Sequence, residues 1–249
     1  TAAPVLCRPF DHGAAITTYS TTKYIGGHGT TIGGLIVDGG NFDWGKAGAD
    51  RQPAMNTPDP CYGGVVWDEQ VTKNMGLPFA YLLKLRTTLL RDLGGAMSPF
   101  NAWMFIQGLE TLPLRMREHA KNAQAVAEAL AANKKVQSVT YPGLFEGAEK
   151  EKADKYMTGG YGALIGFELP GGKEAGSKFI DSLELLYHVA NIGDSRSLAI
   201  HPATTTHSQL APEEQLSAGV TPGYVRLSIG IENVEDIIAD INQAIDKAS

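Results

Sequence analysis

The chain has 249 residues, of which 43% are hydrophobic and 19% are charged, and its formal net charge is −6. This length is enough for one large domain or for two modest domains with their own cores. The acidic balance and the lack of a basic run argue against a nucleic-acid-binding protein, and no apolar stretch reaches the ~20 residues of a membrane span.

The N-terminal residues and the cysteines bear on the compartment of the protein. The first residues, TAAPVLCRPFDHG, lack the basic region and the sustained apolar region of a signal peptide. Cys7 and Cys61 have neither a metal-ligand nor a redox spacing, so the expected location is the reducing cytoplasm. The sequence has no initial methionine, which suggests a processed or truncated product.

The N-terminal part of the chain is rich in glycine and contains two predicted strands. Residues 14–20 are rich in β-branched and aromatic side chains, which predicts a short buried strand. Residues 35–37 predict a second strand, which a tight turn at residues 38–40 closes. Residues 44–64 contain several prolines and glycines and show no period, so we expect a long loop that is functional or disordered.

Three helices are expected next. Residues 78–93 predict a helix that ends at Gly94 and Gly95. Its apolar face is formed by Leu82, Leu83, Leu89, Leu90 and Leu93. Ser98 and Pro99 are typical of the start of another helix, and a longer one is predicted from about residue 113 to 132.

The rest of the chain alternates between strands and helices. Strands are predicted at residues 136–141 and within YGALIGFELPGG, and KEAGSKFIDSLELLYHV predicts an amphipathic helix. VRLSIGIE alternates, with Arg226 opposite the apolar row, and a helix capped by Asn233 follows. The order favours an α/β chain with a glycine-rich unit over residues 1–98 and a second unit with an antiparallel or mixed sheet over residues 99–249.

Lys23 in STTKYIGGHGT is the most informative residue. A lysine is usually a solvated surface charge. Here it follows a predicted buried strand, and Gly26, Gly27 and Gly29 would let a ligand approach the backbone closely. The residues alone leave three readings open: a surface lysine, an amine that forms a Schiff base with a cofactor, and a phosphate site without covalent chemistry.

The segment YSTTKYIGGHGTTIGGLIVDGGNFDW closely resembles the lysine segment of O-acetylhomoserine sulfhydrylases. These are fold type I enzymes of the Cys/Met-metabolism, cystathionine γ-synthase-like family, which depend on pyridoxal 5'-phosphate (PLP). LLRDLGGAMSPFNAWMFIQGLETLPLRMREH, VANIGDSRSLAIHPATTTHSQL and GYVRLSIGIENVEDI match the family in order and spacing, so the resemblance covers essentially the whole chain. It implies the end of the large PLP-binding domain over residues 1–98 and the small C-terminal domain over residues 99–249.

The resemblance implies roles for five residues. The family's S-x-T-K motif falls on Ser20, Thr22 and Lys23: the lysine would form the Schiff base with PLP, and the two hydroxyls would bind its phosphate. Arg226 would bind the substrate α-carboxylate, for which a guanidinium is well suited, with a structural ion pair as the alternative. Asn191 would lie at the substrate pocket and bind the substrate, with its amide hydrogen-bonded to the substrate carboxylate, although a turn residue before Gly193 is an equally good interpretation.

Other polar residues of the segment VANIGDSRSLAIHPATTTHSQL are not assigned a catalytic or binding role. Thr206 and His207 are interpreted first as turn and scaffold residues near the active-site wall. No metal site is predicted, because no carboxylate or cysteine completes a set with His201 and His207.

The implied reaction is γ-replacement on O-acetyl-L-homoserine. Lys23 would act as Schiff-base partner and general acid/base, acetate would leave from Cγ, and sulfide or methanethiol would add to give homocysteine or methionine. The family's rivals are cystathionine γ-synthase and methionine γ-lyase. The family also implies a homotetramer, a dimer of dimers with active sites that form across a dimer.

Several family motifs lie outside this sequence. They include the aspartate that pairs with the pyridine nitrogen, the aromatic residue that stacks on the ring and the glycine-rich phosphate loop. The sequence therefore resembles the C-terminal part of an enzyme. Two hypotheses follow: part of an active sulfhydrylase that needs the N-terminal half as a partner, or an inactive fragment or assembly module.

Overall fold

The structure is a computed structural model that describes residues 3–249, and its helices and strands confirm the predicted α/β class. The larger of two compact units contains the described residues up to Arg8, Ser20–Gly33 and Trp103–Ser249. The smaller unit contains Pro9–Tyr19 and Gly34–Ala102. The predicted domain division between residues 98 and 99 stays a prediction.

The elements are numbered in chain order. The helices are α1 Ala3–Leu6, α2 Trp44–Arg51, α3 Pro53–Asn56, α4 Ala80–Lys84, α5 Arg91–Leu93, α6 Pro99–Ala132, α7 Gly147–Tyr156, α8 Gly172–Asp181, α9 Pro212–Ser217 and α10 Val234–Ala248. The strands are β1 Ile16–Ser20, β2 Gly34–Asp38, β3 Ser138–Thr140, β4 Leu164–Glu168, β5 Tyr187–His188, β6 Leu198–Ile200 and β7 Tyr224–Ser228.

A mixed sheet forms the centre of the larger unit, as predicted. Its strand order is β3-β4-β7-β6-β5, and β5 and β6 pair in parallel whereas the other neighbours are antiparallel. Val225, Leu227 and Ile229 are fully buried, so one face of β7 belongs to the core as its alternation predicts. Arg226 lies on the other face, opposite Gly166 of β4.

Helices α8 and α10 pack together beside this sheet. The rings of Phe167 in β4 and Phe179 in α8 meet edge to face at 5.3 Å. Helix α10 begins as predicted, because the side chain of Asn233 accepts hydrogen bonds from the N–H groups of Glu235 and Asp236.

The predicted length of α8 is wrong, because the helix ends at Asp181 and the chain then enters β5. The carboxylate of Asp240 accepts hydrogen bonds from the N–H groups of Glu184 at 2.8 Å, Leu185 at 2.9 Å and Leu186 at 3.0 Å. These donors are therefore satisfied outside a helix, by a side chain that is distant in sequence.

Helix α6 runs without interruption over 34 residues, whereas the sequence predicted separate helices from about residues 99 and 113. Pro113 lies inside it and removes one backbone donor. The buried stripe continues on both sides of the proline, with Leu112 before it and Met116, Ala123 and Leu130 after it. Packing along the helix therefore offsets the missing bond.

Most of segment 44–64 folds into helices α2 and α3, which end at Asn56, so the prediction of one long loop is wrong. The carboxylate of Asp43 caps α2 by accepting from the N–H of Lys46, and Pro53 occupies the first position of α3. The core of the smaller unit consists of Trp44, Met55, Trp67, Val71 and Ala80.

Two other predictions for the smaller unit are only partly correct. Strand β1 forms, but Thr17 is the one buried residue among Ile16–Ser20. The helix predicted over 78–93 is interrupted by π-type turns at Leu85–Leu90, and it ends at Gly94 with φ +72°. Of the predicted apolar face, Leu89 and Leu93 are 55% and 81% exposed.

Candidate active site

Lys23 lies in a narrow turn directly after strand β1. The turn spans Thr21–Ile25, and the backbone of Lys23 departs from helical geometry with φ −84° and ψ −131°. The N–H of Gly26 donates to the carbonyl of Thr21, and the N–H of Gly27 donates to the carbonyl of Lys23, both at 2.8 Å. Gly27 has a φ of +76°, which favours glycine at this position.

Asn191 lies between the two predicted cationic site residues. Lys23 Nζ donates a hydrogen bond of 2.6 Å to Asn191 Oδ1, and Arg226 Nη2 donates one of 3.4 Å to the backbone carbonyl of Asn191. The structure thus brings together three of the five residues that the sequence selected. Their roles stay predictions.

The loop that contains Asn191 is bonded to the lysine turn and to β7. Ser195 donates to the carbonyl of Gly27 from its N–H at 2.8 Å and from its hydroxyl at 2.9 Å. The N–H of Gly193 donates to Ser228 Oγ at 3.0 Å. Gly193 has a φ of +74°, and a Cβ on it would lie 2.7 Å from the backbone nitrogen of Tyr24, so the loop can approach the turn only with glycine here.

The guanidinium of Arg226 is half-buried, and no carboxylate pairs with it among residues 3–249. Burial lowers its pKa from the ordinary value, and the nearby Tyr224 opposes this shift. An arginine whose charge is partly desolvated and unpaired presents unused donors to an anion. The ion-pair alternative for Arg226 has no partner in the described part of the chain.

Ser20 and Thr22 do not join the cluster of Lys23, Asn191 and Arg226. Ser20 is exposed at the end of β1. The hydroxyl of Thr22 accepts from the N–H of Gly33 at 3.0 Å and lies 3.3 Å from its carbonyl. Thr22 also lines a cavity of about 190 Å³, together with Gly26, His28, Gly29, Thr30, Thr31, Met104, Gln107, Gly108 and Thr111.

Helix α6 supports the lysine turn through Arg115, a residue that the sequence reasoning missed. Arg115 is 6% exposed. Its Nη1 donates to the carbonyl of Tyr24 at 2.7 Å, and its Nη2 donates to the carbonyls of Gly108 at 2.7 Å and Ile25 at 3.3 Å. Its Nε donates to Thr111 Oγ1 at 3.1 Å.

Two further polar residues of α6 hold the segment that follows β7. The ring nitrogen Nδ1 of His119 donates to the carbonyl of Ile229 at 2.7 Å, and Asn122 Nδ2 donates to the carbonyl of Glu232 at 2.9 Å. Burial lowers the pKa of His119 to about 4, although the carbonyl of Ile229 raises it, so the ring is neutral. The ring of His119 also meets that of Tyr24 edge to face at 5.2 Å.

The sequence does contain a signal for these residues. Arg115, His119 and Asn122 have the spacing i, i+4, i+7, which places them along one line of the helix. Each directly precedes a member of the buried apolar stripe, namely Met116, Ala120 and Ala123. A polar line beside an apolar stripe predicts buried polar contacts.

The remaining polar residues that the sequence selected contact other groups of the larger unit and not Lys23. Thr206 Oγ1 and His207 Nδ1 are 2.9 Å apart. His201 is buried, with Nδ1 at 2.9 Å from Thr204 Oγ1 and Nε2 at 2.8 Å from the carbonyl of Pro222.

In residues 3–249 no group of three or more His, Cys, Asp or Glu side chains could hold a metal ion. Within the same range, no helix is long and apolar enough to cross a membrane.

Comparison with known proteins gives consistent matches. Residues 1–246 match the model of the family described as Cys/Met metabolism PLP-dependent enzyme. The chain is 51% identical to an O-acetyl-L-homoserine sulfhydrylase of Leptospira meyeri and 49% identical to a homocysteine synthase of Schizosaccharomyces pombe. Each alignment covers 98% of this chain and 55% of the relative, so the chain spans about half the length of the curated relatives it matches.

A solved structure gives a related result. The chain matches a Campylobacter jejuni protein named O-acetylhomoserine (thiol)-lyase, which carries a pyridoxyl-lysine phosphate, with 40% identity and a TM-score of 0.88. The match covers 98% of this chain and 57% of that one, in agreement with the predicted C-terminal portion of a fold type I enzyme. The family predicted from the sequence is confirmed.

Proposed function

Because this chain belongs to the Cys/Met-metabolism PLP-dependent enzymes, we propose that the whole protein catalyses a γ-replacement on O-acetyl-L-homoserine. Sulfide, or methanethiol, replaces acetate and gives homocysteine, or methionine. The names of the relatives support the choice of substrate. The observation that carries the proposal is the cluster in which Asn191 contacts both Lys23 and Arg226.

The donor set of the chain fits PLP. Lys23 offers a primary amine whose hydrogen-bond partner, within residues 3–249, is a neutral amide oxygen and not a carboxylate. The hydroxyls of Ser20 and Thr22 lie within three residues of it and are donors that suit a phosphate. When bound, PLP supplies an electron-withdrawing ring that stabilises negative charge on the carbons of the substrate.

Each of the clustered residues has a role in this proposal. Lys23 forms the covalent link to the cofactor and, when released, takes up and delivers protons at Nζ. Asn191 orients that nitrogen through Oδ1. Arg226 binds the α-carboxylate of the substrate, which supplies the anion that its half-buried guanidinium lacks.

The assembly and compartment follow the family and the composition. We infer that the described residues act with the N-terminal half of the same enzyme, in a homo-oligomer that is a dimer of dimers. The cytoplasm is the proposed compartment, from the two cysteines without redox spacing. Without the N-terminal half, the chain alone would be an inactive fragment or an assembly module.

The test measures acetate release from O-acetyl-L-homoserine by the PLP-loaded protein, with and without sulfide. We expect sulfide-dependent acetate release and a visible absorbance band that borohydride removes. Lys23→Ala should abolish both, whereas Lys152→Ala, on the exposed side of α7, should change neither. Ammonia release from methionine would replace the proposal by methionine γ-lyase, and cysteine-dependent product formation would replace it by cystathionine γ-synthase. A colourless protein without turnover would favour the fragment hypothesis.

A further inference from the structure

The guanidinium of Arg115 lies beneath the lysine turn and is surrounded by neutral oxygen atoms. Four hydrogen bonds reach Thr111 Oγ1 and the carbonyls of Tyr24, Ile25 and Gly108. No carboxylate pairs with it in the part of the chain that the structure describes. Burying a cation without an anionic partner costs stability. Because Arg115 has no such partner here, an ion pair does not explain why it is buried.

The surroundings of Arg115 leave little space on either side. A Cβ on Gly27 would lie 2.3 Å from Arg115 Nη1, and a Cβ on Gly108 would lie 2.3 Å from the carbonyl oxygen of Ile25. The two glycines let helix α6 and the turn approach closely enough for direct hydrogen bonds. The guanidinium is therefore fitted between the helix and the turn.

Arg115 binds the carbonyls of Tyr24 and Ile25, the two residues that come immediately after Lys23. With Tyr24 and Ile25 fixed from below, and Gly26 and Gly27 bonded back to Thr21 and Lys23, the backbone on the C-terminal side of the lysine has little freedom. The direction of a side chain is set by its backbone. A displacement of about 1 Å at a reacting group can cost about 10²-fold in rate.

We propose that Arg115 is a positioning residue, which fixes the backbone from Tyr24 to Gly27 and thereby the direction in which Lys23 extends its amine. The catalytic part of this inference rests on the proposed function. Arg115 does not touch the substrate; it acts through the carbonyls of the turn. These contacts are made by the protein alone. Replacing Arg115 should therefore loosen the turn in the PLP-free protein as well.

The experiment compares Arg115→Lys and Arg115→Met with Arg117→Lys and Arg117→Met in the full protein. Arg117 is exposed two residues further along the same helix, which makes it a matched control. The first readout is amide hydrogen exchange at Gly26 and Gly27 in the PLP-free protein. The second is kcat per bound PLP, together with KM for O-acetyl-L-homoserine.

For Arg115→Met we expect exchange at Gly26 and Gly27 to rise at least about tenfold and kcat per bound PLP to fall about 10²-fold. KM should stay within about threefold, because Arg226 keeps its contacts. Arg115→Lys should lie between Arg115→Met and the wild type, since an ammonium keeps donors but lacks the planar fork. The Arg117 variants should match the wild type in both readouts.

Unchanged exchange at Gly26 and Gly27 in a folded Arg115 variant would overturn the proposal. The proposal would also be overturned if a variant had the kcat per bound PLP of the wild type and only its folded fraction were reduced. That is the result expected of a residue with a purely structural role. If Arg115→Met does not fold, Arg115→Lys decides by the same readouts. If the wild type itself lacks sulfide-dependent turnover, the proposed function fails, while the exchange measurement still tests Arg115.

Discussion

Lowering the pH from 7 to 5 should destabilise the larger unit through His119. The ring is fully buried, and its pKa lies at about 4 instead of the ordinary 6.5 because burial disfavours the charged form. The unfolded chain therefore binds a proton in the window between these values, and the folded protein excludes it. The contribution to stability is fully present above pH 6.5 and is lost as the pH falls toward 4.

The size of the effect follows from proton linkage. Between pH 7 and pH 5 the unfolded histidine becomes almost fully protonated, whereas the folded one stays neutral. With pKa values of 6.5 and about 4, the free energy of unfolding falls by about 2 kcal/mol over this interval. That is a large share of the 5–15 kcal/mol that stabilises a typical domain.

The assay is guanidinium denaturation followed by far-UV circular dichroism at pH 7, 6 and 5. The wild type is compared with His119→Gln, which cannot titrate, and with His188→Gln, a control at an exposed position of β5. His119→Gln should lose less stability between pH 7 and pH 5 than the wild type, by about 2 kcal/mol. An equal pH dependence in the two proteins, or an NMR titration of the His119 ring with a pKa near 6.5, would refute the reasoning.

Three further predictions concern single substitutions. Gly193→Ala should lower the free energy of unfolding by about 1–3 kcal/mol, because its φ is +74° and the new Cβ would meet the backbone of Tyr24; an unchanged melting temperature would contradict this. Asp240→Asn should cost about 1.5–3 kcal/mol in denaturation experiments, since the buried carboxylate accepts three backbone hydrogen bonds, and a loss no larger than for the exposed Asp246→Asn would speak against it. Arg226→Lys should raise KM for O-acetyl-L-homoserine about tenfold or more with a smaller change in kcat; an unaltered KM would remove Arg226 from the carboxylate site.

The elements that were predicted correctly have short-range signals. The alternation in β7 and the cap at Asn233 depend on residues that are neighbours in sequence, and both are present as expected. One of the predictions that failed depends on a distant residue. The end of α8 is decided by Asp240, more than 50 residues away, and local periodicity contains no record of that carboxylate.

The residues of the candidate site also divide into those that the local sequence identifies and those that depend on distant contacts. Lys23, Asn191 and Arg226 could be selected because they fall in segments that resemble a family. The spacing of Arg115 with His119 and Asn122 marks it as a buried polar residue but does not identify its partners, because these are backbone carbonyls about 90 residues earlier in the chain. Backbone carbonyls look alike in every sequence, so only the fold identifies which of them a buried guanidinium meets.

Asn191 meets the two cations through different parts of the residue. Lys23 contacts its side-chain oxygen, whereas Arg226 contacts its main-chain oxygen, which every amino acid retains. Replacing the side chain, for example by Asn191→Ser, would change the surroundings of the amine and leave the second contact in place. Under the proposed function, a substitution at this one position is therefore expected to act on proton transfer by Lys23 while the main-chain contact to Arg226 is kept.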